Sequence, residues 1–357
     1  MPGEILQATD YADLARARLS TDVWDYVDGG SGAELTIAAN RAAFDAVRIA
    51  PRFLVDVSVI DTATKLFGTA LPSPIGIAPT AYQALVHPGA EIDMVRGAAG
   101  HLCVMSFFST RTVEQMAAAA TGPLWMQLYW LEQRAAVADV ARRAEAAGFR
   151  ALVLTVDAPR IGQRFRDARN AFAVPDDVQA VNIDPALTEG VHEQVEGASA
   201  LAGHADMVFD TAITWADLAW LRRLTSLPIV LKGILTAHDA RLAIEHGVDA
   251  IVVSNHGGRQ VDGALASLHA LPAVAQAVDG RIPVLLDSGV RRGRDAFVAL
   301  AAGADAVLLG RPPLWALATG GADAVRNLMG IVDTELAHLM AIAGRPTLAD
   351  ITPDALA

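Results

Sequence analysis

From residue 74 onward, short uninterrupted apolar runs alternate with longer amphipathic segments. The runs fall at 74–79, 103–107, 124–129, 151–156, 229–231, 250–253, 284–286 and 306–309. Runs of this length and β-branched content have the composition of strands buried on both faces. The Ala-rich segments between them, among them 134–147, 237–246 and 294–302, place apolar residues at helical spacing. Three junctions repeat one phrase, Gly148-Phe149-Arg150-Ala151, Gly247-Val248-Asp249-Ala250 and Gly303-Ala304-Asp305-Ala306, each a helix-ending glycine followed by a strand. Eight buried strands in repeated helix–glycine–strand units predict an α/β fold, a closed parallel (β/α)8 or TIM barrel rather than an open sheet.

The rest of the chain departs from this rhythm in three places. Residues 1–70 read as helical pieces at 11–19, 23–27 and 34–44, the second stopped by Asp28-Gly29-Gly30-Ser31-Gly32, with an extended Pro51-Arg52-Phe53-Leu54 after them. This N-terminal helical segment is expected to close one end of the barrel. Residues 170–215, acidic over 189–196, are too long for an ordinary strand-to-helix loop and are read as a lid over the active face. Residues 314–343 read as helical with a break at Gly320-Gly321, followed by a polar tail, so that 1–357 form one domain with C-terminal helices over 314–357.

Composition narrows the function classes. The 357 residues are 53% hydrophobic with mean hydropathy +0.33, enough for a large core, and global disorder is excluded. A net charge of −12 and a pI near 5.1 argue against nucleic acid or an anionic membrane as partner. Cys103 is the single cysteine, which excludes an intrachain disulfide and fits a reducing compartment. Residues 1–15 carry acidic groups and no apolar core segment, and no apolar run reaches about 18 residues, so neither a secretory signal nor a membrane span is expected. A cytoplasmic enzyme is the expectation.

Chemistry concentrates at the C-terminal ends of the predicted strands, the face on which barrels build active sites. The run 250–253 ends in Ser254-Asn255-His256-Gly257-Gly258-Arg259-Gln260-Val261-Asp262-Gly263, which brings a titratable imidazole and a guanidinium within three residues of each other. A solvated surface turn could carry the same letters; the other strand ends decide. The first ends in Ala78-Pro79-Thr80-Ala81 and the second in Ser106-Phe107-Phe108-Ser109. The third carries Gln127 and Tyr129, and the fourth ends in Thr155-Val156-Asp157 with Arg160, Arg164, Arg166 and Arg169 close behind. Lys232-Gly233 ends the fifth, Asp287-Ser288-Gly289-Val290-Arg291 the seventh and Gly310-Arg311 the eighth. Glycines with Arg291 and Arg311 after the last two strands suggest a phosphate site. Ser106, Gln127, Thr155 and Lys232 would line a broad polar plane suited to a flavin-like heterocycle, although a lone barrel lysine also suits Schiff-base chemistry. Arg164 and Arg259 suggest a second anion, a carboxylate, and Asp157 is the natural partner to orient His256 and stabilise its protonated form. No metal site is expected, since none of the nine histidines pairs with another at ligand spacing.

These residues resemble the FMN-dependent 2-hydroxy acid oxidases and dehydrogenases. Ser254 to Gln260 is the most specific match, and Gln127-Leu128-Tyr129, Thr155-Val156-Asp157, Lys232-Gly233 and Asp287 to Arg291 follow the family's order from about Tyr26 to beyond Arg311. The resemblance implies that His256 acts as base, paired to Asp157, that Arg164 and Arg259 bind the substrate carboxylate, and that Tyr26 and Tyr129 hydrogen-bond its oxygens. It implies Lys232 near flavin N1 and O2, with Ala81, Ser106, Gln127 and Thr155 on the isoalloxazine and Pro79, Thr80 and Ser254 among the other cofactor-binding residues. Asp287, Gly289, Arg291, Gly310 and Arg311 would surround the ribityl phosphate. The implied reaction is oxidation of an (S)-2-hydroxy acid to a 2-oxo acid, and the implied assembly a homotetramer.

Two departures refine the expectation. Ser288 stands where many members have Gly, and Phe108 where plant glycolate oxidases have Trp over the substrate. The smaller ring favours an aryl substrate, (S)-mandelate or 4-hydroxymandelate. On this point the chain resembles the bacterial hydroxymandelate oxidases of antibiotic biosynthesis; lactate or glycolate is the alternative. Ala81 matches the oxidases of the family, the 170–215 segment lacks an apolar anchor and no haem-domain sequence precedes the barrel, so O2 is the expected acceptor and hydrogen peroxide the product. Two further readings, an FMN-dependent isoprenoid diphosphate isomerase and a silent barrel kept as a binding module, fit less well. The first needs more cations for a diphosphate, and the second predicts a broken constellation.

Overall fold

The computed structural model describes residues 5–197 and 199–357. Apolar runs of three to six residues supply eight parallel strands, and their hydrogen bonds close a barrel. These are β3 (Ile75–Ile77), β4 (Cys103–Met105), β5 (Leu124–Leu128), β6 (Leu152–Thr155), β7 (Ile229–Ile234), β8 (Ala250–Val253), β9 (Val284–Leu286) and β10 (Ala306–Leu309), with β10 returning to pair β3. The predicted fold class is the observed one. Gly148, Gly247 and Gly303 have φ of 91°, 71° and 108°, left-handed values that turn each helix end into the next strand.

Strand alternation sorts the buried side chains into two layers. One parity, including Ile77, Met105, Met126, Leu154, Leu231, Val253, Leu286 and Leu309, packs outward under the helices. The other, including Val104, Trp125, Val153, Val230, Val252, Leu285 and Leu308, fills the barrel interior. Continuing the inward parity by one step reaches Ser106, Gln127, Thr155, Lys232, Ser254, Asp287 and Gly310. The polar site therefore stands as the next layer above an apolar floor.

The first 70 residues are less uniformly helical than expected. Helices Asp10–Arg18, Thr21–Asp28 and Leu35–Ala46 are present, but Thr64–Leu66 (β1) and Thr69–Leu71 (β2) form an antiparallel hairpin. Its two-residue turn, Phe67-Gly68, holds φ of 49° and 74°, values that match strand twist. Leu66 and Leu71 pack into the interior layer, so the hairpin plugs the barrel's floor. The helices instead border the opposite, active face: Asn40 and Asn255 exchange amide hydrogen bonds of 2.9 and 2.7 Å, and Asp262 accepts from Ala33 N at 2.7 Å.

The 170–215 interval is also more structured than a loop. It holds short turns at Pro185–Leu187 and Glu189–His192 and the helix Ala200–Val208, and it is stitched down by Val174 N to Val191 O at 2.9 Å and Val181 N to Ser109 O at 3.2 Å. The last helix, Arg311–Ile342, breaks at Gly320-Gly321 as the glycine pair predicts, Gly321 having φ 60°. The C-terminal residues beyond it are packed down rather than forming a loose polar tail. Ile351 and Ala355 are buried, and Arg345, 1% exposed, pairs with Asp354 at 2.9 Å. Among the described residues no helix is long and apolar enough to cross a membrane.

His101 ties the barrel's helical layer to the last helix. Its Nδ1 lies 2.7 Å from Ala98 O and its Nε2 2.6 Å from Asp333 Oδ2, so both nitrogens face acceptors and the ring is held as imidazolium. Burial opposes the charge, but the Asp333 bond and charge outweigh it and raise the pKa above the ordinary histidine value. A raised folded pKa gives stability that is present at acidic pH and lost as pH rises through that pKa. His101→Gln is expected to cost about 1 kcal/mol near pH 6 and progressively less at alkaline pH, in urea melts across that range. An equal cost at every pH would rule out the charged pair.

Candidate active site

Strand parity brings the predicted residues to one cavity at the C-terminal mouth of the barrel. Pro79, Thr80 and Ala81 enter from β3, Ser106 and Phe108 from β4, Gln127 and Tyr129 from β5, and Thr155 and Arg164 from β6 and its loop. Lys232 comes from β7, His256 and Arg259 from the β8 turn, Asp287, Gly289 and Arg291 from β9, Gly310 and Arg311 from β10, and Tyr26 from the N-terminal helices. Two predicted residues stand behind the wall: Asp157 against His256, and Ser254 beneath Lys232.

The β8 turn has an unusual backbone. His256, Gly257 and Gly258 lie consecutively in the left-handed region, with φ of 59°, 66° and 77°. Of these three only His256 bears a side chain, at a conformational cost of roughly 1–2 kcal/mol. A Cβ at Gly258 would lie 2.8 Å from Ile37 N, so this glycine lets the N-terminal helix approach. His256 Nδ1 is 2.8 Å from Asp157 Oδ1. A carboxylate accepts, so Nδ1 carries the proton and Nε2 keeps its lone pair. Burial lowers the His256 pKa despite the attraction of Asp157, and Lys232 and Arg164 add to the lowering. Asp157 orients the imidazole, but the net environment favours its neutral form, contrary to the expected stabilisation of the cation. Burial would raise the Asp157 pKa, yet His256 and Lys232 together hold it low.

Next to this pair lies a polar plane. Gln127 Nε2 donates to Thr155 Oγ1 at 3.0 Å while Phe107 N donates to Gln127 Oε1 at 3.2 Å, which fixes the amide's orientation. Lys232 Nζ donates to Ser254 Oγ at 3.1 Å and sits 3.2 Å from Asp287 Oδ2. Burial disfavours its charge, but Asp287, Asp157 and Tyr129 raise its pKa and keep it cationic.

The arginines are held mainly by carbonyls, with acids only at the edge of ion-pair reach. Arg311 donates to the carbonyls of Val27, Gly257 and Gly29 at 3.2, 3.0 and 2.8 Å, and Arg259 to Gly29 O at 2.8 Å. Asp28 approaches Arg311 no closer than 4.0 Å. Burial and then repulsion from Arg259 and Arg291 bring Arg311 down to about 9; burial and Arg164 bring Arg259 down to about 10. Arg291, lying 5.1 Å over the Trp315 ring, falls to about 10 through burial and Arg41. Arg164 is nearly buried, 3.9 Å from Asp167, with its Nε unpartnered. Guanidiniums buried without close carboxylates make a site that an anion stabilises. That is the donor set a ribityl phosphate and a substrate carboxylate require.

One wall of the cavity is aromatic. Phe108 stacks with Tyr82 at 6.0 Å and with Phe209 at 6.3 Å, and Phe209 stacks on Tyr129 at 5.0 Å. Burial pushes the Tyr129 phenol up to about 12 and raises that of Tyr26, so both stay protonated donors. Val191, Leu201, His204, Ala205 and Phe209 roof the cavity from the 170–215 interval, and sequence reasoning did not single them out. The signal available was a four-residue repeat at 201, 205 and 209. Among the described residues no cluster of His, Cys, Asp and Glu has a metal-holding arrangement.

Comparison with known proteins gives the same site a family. Residues 15–357 match the family model described as FMN-dependent dehydrogenase. An L-lactate oxidase from Nostoc sp. is 44% identical over 348 residues, covering 96% of this chain and 95% of that protein. A peroxisomal (S)-2-hydroxyacid oxidase of Arabidopsis thaliana is 42% identical over 351 residues, covering 98% and 95%. The crystal structure of a mandelate oxidase with (S)-4-hydroxymandelic acid superposes with a TM-score of 0.95 at 41% identity, covering 99% of this chain and 98% of that one. Polar strand ends on an apolar barrel floor, buried guanidiniums without close acids and an imidazole held neutral by burial thus belong to a member of the FMN-dependent dehydrogenase family, an FMN flavoprotein that oxidises 2-hydroxy acids.

Proposed function

We propose that this enzyme oxidises an aryl (S)-2-hydroxy acid, (S)-mandelate or (S)-4-hydroxymandelate, to its 2-oxo acid and passes the electrons to O2, forming hydrogen peroxide. The observation that carries the aryl reading is the aromatic cluster of Phe108, Tyr129 and Phe209 lining the same cavity as Arg164 and Arg259. An aromatic ring gains by stacking on such a wall, while the arginines grip the carboxylate. The similarity to a mandelate oxidase solved with (S)-4-hydroxymandelic acid supports it.

Arg164 and Arg259 fix the substrate carboxylate, and Tyr26 and Tyr129 donate to its oxygens. His256 Nε2 takes the substrate's proton, whether from the hydroxyl or from C2, and Asp157 holds the resulting imidazolium in place. When bound, FMN supplies the two-electron acceptor. Pro79, Thr80, Ala81, Ser106, Gln127, Thr155 and Ser254 would surround the flavin ring system, Lys232 its pyrimidine edge, and Asp287, Gly289, Arg291, Gly310 and Arg311 the ribityl phosphate. Val191, Leu201, His204, Ala205 and Phe209 line the cavity together with Phe108 and Tyr129 and would limit the access of water to the reacting carbon.

Mixing the holoenzyme anaerobically with (S)-4-hydroxymandelate is expected to bleach the flavin, and admitting air to restore its colour with release of peroxide. Bleaching without recovery would overturn O2 as acceptor. Bleaching by lactate or glycolate but not by either mandelate would overturn the aryl reading.

His256→Ala is expected to retain FMN and lose roughly 10²–10⁴-fold or more in turnover, the usual worth of a general base; near-normal turnover would reassign that role. Because burial holds the His256 pKa below the ordinary value of 6.5, the base stays unprotonated to lower pH than a free imidazole. The acidic limb of kcat/KM is therefore expected below 6.5, and a limb above 7 would contradict a depressed base. Arg259→Met, losing a charged hydrogen bond worth roughly 1.5–3 kcal/mol, is expected to lower kcat/KM by about 10–150-fold, with KM raised and kcat reduced together.

A further inference from the structure

Ser288 sits at φ 74°, followed by Gly289 at 97°. The two residues do not need this conformation in the same way. A Cβ on Gly289 would lie 3.0 Å from both Cβ and O of Asn40, so a side chain there would be crowded as well as strained in φ. Ser288 is a β-carbon-bearing residue in the left-handed region, where a glycine would sit without strain. The residue is 7% exposed and its hydroxyl is fully engaged. It donates to Asp287 Oδ1 at 2.8 Å and accepts from Gly257 N at 2.9 Å and Asn255 N at 3.3 Å. A hydroxyl has one proton and two lone pairs, and all three are used.

The partners give these bonds their meaning. Asn255 and Gly257 flank His256, whose own N–H donates to Ser254 Oγ at 3.0 Å. Asp287 binds Lys232 through its other oxygen at 3.2 Å, and Lys232 closes the circuit onto Ser254 Oγ at 3.1 Å. Two hydroxyls thus hold three successive N–H groups, those of Asn255, His256 and Gly257, where the chain enters the left-handed histidine turn, and a buried ion pair links them. Ser267 Oγ donates to Ser288 O at 2.9 Å and fixes the serine's own backbone.

We propose that Ser288 is a positioning residue: its hydroxyl holds the strained His256 turn in register with the Lys232–Asp287 pair, so that base and cation face the reacting centre together. The proposal rests on His256 acting as the base. It explains why a strained serine occupies a position that glycine would fill more comfortably: local stability is given up for a fixed imidazole.

Two variants separate this from a purely structural role. Ser288→Gly removes the hydroxyl and relieves the backbone; Ser288→Ala removes the hydroxyl and keeps the strain. Both are made as holoenzymes and assayed with whichever 2-hydroxy acid the unaltered enzyme turns over fastest. For Ser288→Gly the expected result is full FMN content, a Tm unchanged or raised by on the order of 1–2 °C, and kcat lowered by about 10–100-fold. KM should change much less, because Arg164 and Arg259 are untouched. Amide hydrogen exchange is expected to quicken across 254–258 in both variants, since Asn255 and Gly257 lose their acceptor. A kcat within about twofold of the parent, or unchanged exchange over 254–258, overturns the proposal. A fall in Tm with kcat preserved makes Ser288 structural only, and loss of FMN makes it a cofactor-binding residue; both overturn it as well. His256→Ala, run alongside, keeps the two readings apart: undiminished turnover there removes the base assignment, whereas the quickened exchange at Asn255 and Gly257 is read without reference to it.

Discussion

Holding charge inside an apolar shell is the constraint on which the rest of this molecule depends. Lys232 and Arg311 are buried and Arg259 and Arg291 half-buried at the barrel mouth, yet among them Lys232 alone has a carboxylate as near as 3.2 Å, and Asp28 stands 4.0 Å from Arg311. Close pairing of that kind is what normally offsets desolvation. The arginines are instead satisfied by main-chain carbonyls of Val27, Gly29, Gly257 and Val290, which supply hydrogen bonds without cancelling the charge. Residual positive potential is thereby stored in a cavity suited to anions. The same field explains the imidazole: close to cations and only partly exposed, His256 has its pKa lowered and can accept a proton although Asp157 is in contact with it.

Two of those four carbonyls, accepting three of the five bonds, come from the segment around Gly29, which is why the N-terminal helices cannot be regarded as packing material. Asp25 and Glu34 flank that segment and both pair with Arg166, at 3.4 and 2.5 Å. A peripheral set of ion pairs thus fixes the backbone that the buried guanidiniums depend on. The glycines at 257 and 258 serve the same docking, since Arg311 and Ile37 occupy the space their side chains would need.

Much of this was legible in the letters. Each barrel strand announced itself because a strand buried on both faces is apolar at every position, and the polar strand ends stood out against those runs. The features that stayed hidden did so for physical reasons. The hairpin over Thr64–Leu71 turns on Phe67 at φ 49°, a conformation bulky residues rarely adopt, so its first turn residue gave no signal. The roof helix was masked by the acidic stretch before it, although Leu201, Ala205 and Phe209 repeat every four residues. The groups that bind Arg311 are main-chain carbonyls, which no side-chain pattern encodes. Ser288 was visible as a departure from the family's glycine, but the three bonds of its hydroxyl depend on two strands meeting in space.

The seam between the two ends of the described chain has a kinetic meaning. Ala357 N bonds Arg48 O at 2.9 Å, Ala50 N bonds Ala355 O at 2.8 Å and Arg52 N bonds Ala343 O at 3.0 Å. Each joins groups about 300 residues apart, among the most non-local contacts a chain of this length can make, and closing so long a loop costs entropy before any contact repays it. The stretch beginning with the helices that carry Tyr26 and the Gly29 carbonyl is therefore anchored downstream by residues made after the barrel's eighth strand. During synthesis the barrel's inner layers can form strand by strand, while the cavity waits for its final wall. An unfinished chain would hold a nearly complete barrel whose cation-lined mouth still lies open to water.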